Sequence, residues 1–82
     1  MLVPEDAIVY VNGYRPKQKG ALRTFAAKNL EYGETYAFEI RVVENRDGRF
    51  YEDVQTTILA PGDSAALAFN PVPRDEAYAL NK

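Results

Sequence analysis

Tyr10 and Tyr14 flank the Asn12-Gly13 dipeptide, and Arg15, Lys17, Lys19 and Arg23 follow in close succession. Exposed tyrosine rings beside cationic side chains can stack on sugars, bases or peptide side chains, while the cations hold an anionic group. These six residues form the candidate ligand-binding set, with Tyr32 as a further aromatic for a sugar and Lys28 as a further cation. The structural alternative is equally concrete. The tyrosines would fill cross-strand surface, the lysines would solvate a long loop, and Arg23, between Leu22 and Phe25, would serve as an ion-pair partner.

Other chemistry is constrained by absence. The chain has no His and no Cys, and its single serine, Ser64, follows Asp63 beside a turn. Without a His or Cys partner, the usual serine and cysteine nucleophile arrangements cannot be assembled, and zinc and other N- or S-ligated metal sites lose their ligands. Glu52 and Asp53 are adjacent on a predicted strand, so they point to opposite faces and cannot act as a carboxylate pair. Glu31 and Glu34 flank a turn, but no loop carries the alternating oxygen ligands of a known calcium motif. No catalytic residue, metal site or cofactor is expected.

The elements that must position the candidate set are short. An 82-residue chain is one domain, near the size at which a single core only just offsets the entropy of folding. With no disulfide available, that core must hold the fold alone. Apolar residues make up 46% of the chain, a globular composition. No apolar run reaches the roughly 18 residues of a membrane span, and "MLVPEDAIVY" lacks the basic and apolar regions of a signal peptide. The chain reads as soluble, or as a piece of a longer exported protein. The net charge of -2 is unevenly spread. Residues 1–30 carry Arg15, Lys17, Lys19, Arg23 and Lys28 against Glu5 and Asp6, whereas the remainder is acidic. Such asymmetry marks either a site for an anionic polymer or surface charge that keeps a β protein from self-pairing.

Punctuation by Asn12-Gly13, Lys19-Gly20, Tyr32-Gly33, Asp47-Gly48 and Pro61-Gly62 divides the chain into strand-length pieces. In residues 7–11, Ala7, Val9 and Val11 share one face. Residues 35–44 place Tyr36, Phe38, Ile40 and Val42 on one face, and residues 50–59 place Val54, Thr56 and Ile58 on one face. Shorter candidates are Leu22 to Phe25 and Ser64 to Phe69. Phe25, Phe38 and Phe69 are expected in the core, with Tyr32 and Tyr36 in the core or at its edge. The two prolines after Asn70 bar a central strand, so residues 70–82 read as a loose tail or an edge segment.

"ENRDGRFYED", residues 44–53, poses a register problem. A two-residue Asp47-Gly48 turn would set Ile40 opposite Gln55 and Val42 opposite Asp53, apolar against polar. A three-residue loop of Arg46, Asp47 and Gly48 pairs Asn45 with Arg49 instead, and aligns Tyr36 with Ile58, Phe38 with Thr56 and Ile40 with Val54 on the core face. Outside, it pairs Arg41 with Asp53, worth about 0.2–1 kcal/mol, and Val43 with Tyr51. Matching the apolar rows selects the three-residue loop.

Pro4, Asp6-Ala7, Val9, Val11, Asn12-Gly13, Gly20, Arg23-Thr24-Phe25, Leu30, Gly33, Tyr36, Phe38, Ile40, Asp47-Gly48-Arg49 and Gly62 follow an order that resembles a small uncharacterised domain of planctomycete proteins, a relative of the PEGA surface-protein domain. The resemblance covers residues 3–69, and "GALRTFAAKNLEYGETYAFEI" is its most specific part. Ala27-Lys28 and Tyr32 depart from it, where the family has Thr or Ser before Pro, and Pro. It implies a compact β-sandwich, often in exported or envelope-associated proteins, no enzyme activity and no site residues to carry over.

The expectation is a single all-β domain over residues 1–82, with its core within 3–69. It has five to seven short strands in a small antiparallel sandwich, Ig-like or PEGA-like, or else a five-stranded barrel. The leading function is a non-catalytic structural or protein-interaction module, extracytoplasmic by the resemblance, presenting loops or a strand edge to a protein partner. Two alternatives remain: a carbohydrate-binding module, its ligand a surface polysaccharide, and binding of an anionic polymer through residues 15–28, with nucleic acid the least favoured partner.

Overall fold

The computed structural model describes residues 1–27 and 30–74. Its elements are all strands: β1 (Ile8–Val11), β2 (Tyr36–Arg46), β3 (Arg49–Leu59) and β4 (Val72–Pro73). They form one open antiparallel sheet in the order β1-β2-β3-β4. Leu22 to Phe25 and Ser64 to Phe69, expected as strands, enter only isolated bridges, from Leu2 to Leu22 and from Leu2 to Ala68. Residues 75–82 of the expected tail lie outside the described residues. Val72–Pro73 pairs with Tyr51 and Glu52 at the sheet edge, where Pro73 offers no N–H to a further strand.

Alternation sorts β1 and β2 as predicted except at Val43, expected outside opposite Tyr51 and instead buried on the far face, opposite Glu52. Ala7, Val9 and Val11 are buried, together with Phe38, Ile40 and Val42. The pairing sets Val9 against Val42 and Val11 against Ile40. Val3 and Phe69 complete this cluster, with Met1, Tyr36, Leu59 and Leu67 packed at its margin. Val42 is fully enclosed, so trimming it to Ala costs about 2 kcal/mol. The segments lying over the cluster are tied by backbone bonds: Leu2 N–H to Leu67 carbonyl, Phe69 N–H to Leu2 carbonyl and Val3 N–H to Ala21 carbonyl, each 2.9 Å.

The β2–β3 hairpin corrects the expected register. Arg46 pairs with Arg49, Ile40 with Gln55, Val42 with Asp53 and Arg41 with Val54. The turn is therefore Asp47-Gly48 alone, and both residues are left-handed, with φ of 52° and 83°. That is a type I′ turn, whose twist matches the flanking strands. Asn45 caps it, its Oδ1 accepting from the Gly48 N–H at 2.9 Å. The cost of facing polar β3 residues inward is met by the crossing segment. Gln55 Nε2 donates to the Ala68 carbonyl at 2.8 Å, and Asp53 Oδ2 accepts from the Asn70 N–H at 3.1 Å. Val54 and Ile58, expected in the core, are consequently exposed, Ile58 at 68%. Arg41 meets Glu39 at 3.9 Å rather than Asp53.

Two aromatic assignments also change. Phe25 is exposed at the margin, where its ring meets Phe38 edge to face at 6.1 Å. Tyr32 is 97% exposed, while Tyr36 stays half-buried and its hydroxyl accepts from the Glu31 N–H at 2.8 Å.

Candidate functional site: a basic groove along the free edge of β1

The Asn12-Gly13 turn generates the site. Asn12 and Gly13 take φ of 50° and 81°, and Val11 and Tyr14 exchange both backbone bonds, at 2.7 and 2.9 Å. Asn12 also locks the turn to β2: its N–H donates to the Glu39 carbonyl and its Oδ1 accepts from the Glu39 N–H, both at 2.8 Å. The chain after Tyr14 is thereby thrown back along the free edge of β1. The next hydrogen-bonded pair in that direction would be Val9 with Pro16, and proline has no N–H to give. The hairpin stops there. Residues 15–20 run beside Glu5 to Val9 without further pairing and leave a groove of about 750 Å³.

Arg15, Lys17, Lys19 and Arg23 line this groove, with Glu5 and Asp6. The first three are exposed, and Arg23 is buried, at 4% exposure. Its guanidinium is fixed by carbonyls. Nε donates to Gly20 at 2.7 Å, and Nη2 donates to Ala7 at 2.9 Å and to Glu5 at 3.1 Å. The sequence alternative, an ion-pair partner, is therefore not what Arg23 is. The ion pairs among the described residues join Glu39 with Arg41, Glu44 with Arg46 and Glu52 with Arg74, and none involves the four groove cations. The charge of Arg23 is buried against dipoles alone, which leaves its field directed at the groove. Gln18 anchors the loop wall by donating to the Thr24 carbonyl and accepting from the Thr24 N–H at 2.9 Å.

The candidate set is thus divided. Arg15, Lys17, Lys19 and Arg23 converge, and Lys28 lies outside the described residues. Tyr10 is directed to the opposite face of the sheet, where it lines a shallow depression with Ile8, Arg41, Val43, Phe50 and Arg74. Tyr14 stands exposed at the turn and lines neither surface. The two tyrosines do not form a shared stacking platform.

The residue missed by sequence reasoning is Val9. Because Asn12 bonds Glu39, the alternate residues Tyr10 and Ile8 face β2, and Val9 directs its N–H and C=O to the free edge. On that edge Ala7 is closed, its N–H donating to Pro4 at 3.0 Å and its carbonyl accepting from Arg23. Val11 is closed by Tyr14. Val9 alone is open, with no backbone partner there among the described residues, although only 4% exposed. Pro16 opposite Val9 was the available signal.

The hairpin tip, the densest charged stretch, is occupied with itself. Arg46 and Arg49 lie over the Tyr51 ring at 4.4 and 5.8 Å, and Arg46 also pairs with Glu44. Among the described residues no group of three or more His, Cys, Asp or Glu side chains could hold a metal ion, and no helix is long and apolar enough to cross a membrane.

Comparisons with protein-family models, with curated proteins and with solved structures give no match.

Proposed function

We propose that this chain is a non-catalytic protein-interaction module, of an exported or envelope-associated protein, and that it receives its partner in the basic groove along β1. The observation that carries the reading is the convergence of Arg15, Lys17, Lys19 and buried Arg23 on one groove, with no carboxylate paired to any of them among the described residues. A buried cation held only by backbone carbonyls has no carboxylate to neutralise it, and it attracts an external anion. In this reading, residues 1–3, 21–23 and 67–69, joined by the Leu2 bridges, act as the second layer of a minimal PEGA-like sandwich. They hold Arg23 against the sheet edge. The sheet face bearing Tyr10 serves as scaffold.

Photo-crosslinkers placed singly at Lys17 and at Ile58, in the protein in its native host, test this. The proposal expects a protein adduct from position 17 and none from position 58. Adducts only from position 58, or only to glycan, would contradict it.

A further inference from the structure

We propose that the groove takes an extended acidic peptide segment, which adds to the edge of β1 at Val9 while its carboxylates meet Arg15, Lys17, Lys19 and Arg23. The inference rests on the protein-interaction reading above and supplies the chemistry of the partner.

Two features select a peptide. First, the open position on the edge presents both a donor and an acceptor, the N–H and C=O of Val9. A peptide backbone answers both, because each residue carries one of each. A polyphosphate chain has acceptors only and would leave the Val9 carbonyl buried without a partner, which costs the full desolvation of that group. Second, every second residue from Arg15 to Lys19 is cationic. Alternate side chains of an extended strand project to the same side at a repeat of roughly 6.6 Å. Carboxylates at alternate positions of an added strand answer cations that recur at every second residue of the facing wall. Arg23 supplies the invariant point in this row, since three carbonyl bonds hold its guanidinium in place. The exposed lysines adapt around it. The window on the edge is one residue wide, closed by Arg23 at Ala7 and by Tyr14 at Val11. With four cations against Glu5 and Asp6 the groove keeps a net positive charge, so affinity comes from that charge and position comes from Val9.

The test is a titration of the isotopically labelled chain, followed by amide chemical shifts, with four probes: a short peptide of alternating Glu and Val, its Ser and Val counterpart, a heparin oligosaccharide and oligothymidylate. The inference expects the acidic peptide to move Val9, Lys17, Lys19 and Arg23, with the Val9 amide shifting downfield. In the Lys17→Glu, Lys19→Glu double variant, whose positions are exposed and whose free spectrum reports its folding, the affinity falls about tenfold or more. Equal binding of the Ser peptide at Val9 would overturn the acidic specificity and leave the protein-interaction reading standing. Shifts confined to heparin or oligothymidylate would overturn both. A flat response to the acidic peptide would overturn the inference, while the crosslink from position 17 still decides the wider reading.

Discussion

Val9 and Pro16 line the same groove, and they are the two residues that would form the next hydrogen-bonded pair of the hairpin begun by Val11 and Tyr14. The proline withholds the donor, and the edge of β1 stays open at that one residue. Replacing Pro16 with Val should let residues 15–17 zip onto β1. We expect a gain of about 1 kcal/mol from the restored bonds, measured by urea denaturation. Binding in the groove should be lost in the same variant. Unchanged stability together with unchanged binding would count against the proline as the cause of the gap.

Arg23 holds three carbonyls, and among the described residues no other side chain shares that task. Arg23→Ala should cost about 2–4 kcal/mol, because the buried acceptor at Ala7 and the part-buried one at Gly20 lose their donor. Arg23→Lys keeps the charge but not the planar fork, and should recover less than half of the loss. Denaturation midpoints of the two variants check this. A lysine variant as stable as the parent would show that charge, not geometry, fixes the edge.

The hairpin register predicts which protons approach. Arg41 and Val54 form a non-hydrogen-bonded pair in the observed ladder, so their Hα atoms lie close and should give a strong nuclear Overhauser effect. The apolar-matched alternative places Ile40 beside Val54, and an effect between those two residues instead would overturn the type I′ turn. Gly48→Ala should cost about 1 kcal/mol, since Gly48 sits at φ 83°.

Ile40 and Ile58 separate the same two registers energetically. Ile40 is buried and Ile58 is 68% exposed. Ile40→Ala should cost about 2–4 kcal/mol, and Ile58→Thr should stay within about 0.5 kcal/mol. Comparable losses from both would place Ile58 in the core.

The strands that alternate cleanly were legible in the sequence. Ala7, Val9 and Val11, and Phe38, Ile40 and Val42, declare their faces by spacing alone. The pairing of β3 was not, because matching apolar rows assumes that inward positions are apolar. Here Asp53 and Gln55 face inward and are satisfied by Asn70 and Ala68, contacts distant in the chain that no local pattern reveals. Turn chemistry, Asp47-Gly48 with both residues left-handed, outweighed side-chain matching. Of the site, the cations were legible as a cluster, whereas the partition of Tyr10 from them follows from the sheet face on which it falls. Arg23 read as an ion-pair partner because a buried arginine usually has a carboxylate; its partners are backbone carbonyls, which carry no signature in sequence.

Hydrogen exchange at the Val9 amide tests the central claim most directly, because among the described residues that group is the one opening on the free edge of β1. With the alternating Glu and Val peptide at saturation, the exchange of Val9 should slow about tenfold or more, as expected of a newly formed backbone bond. Tyr10, already bonded to β2, should change little. An exchange rate at Val9 that is the same with and without the peptide would contradict the account.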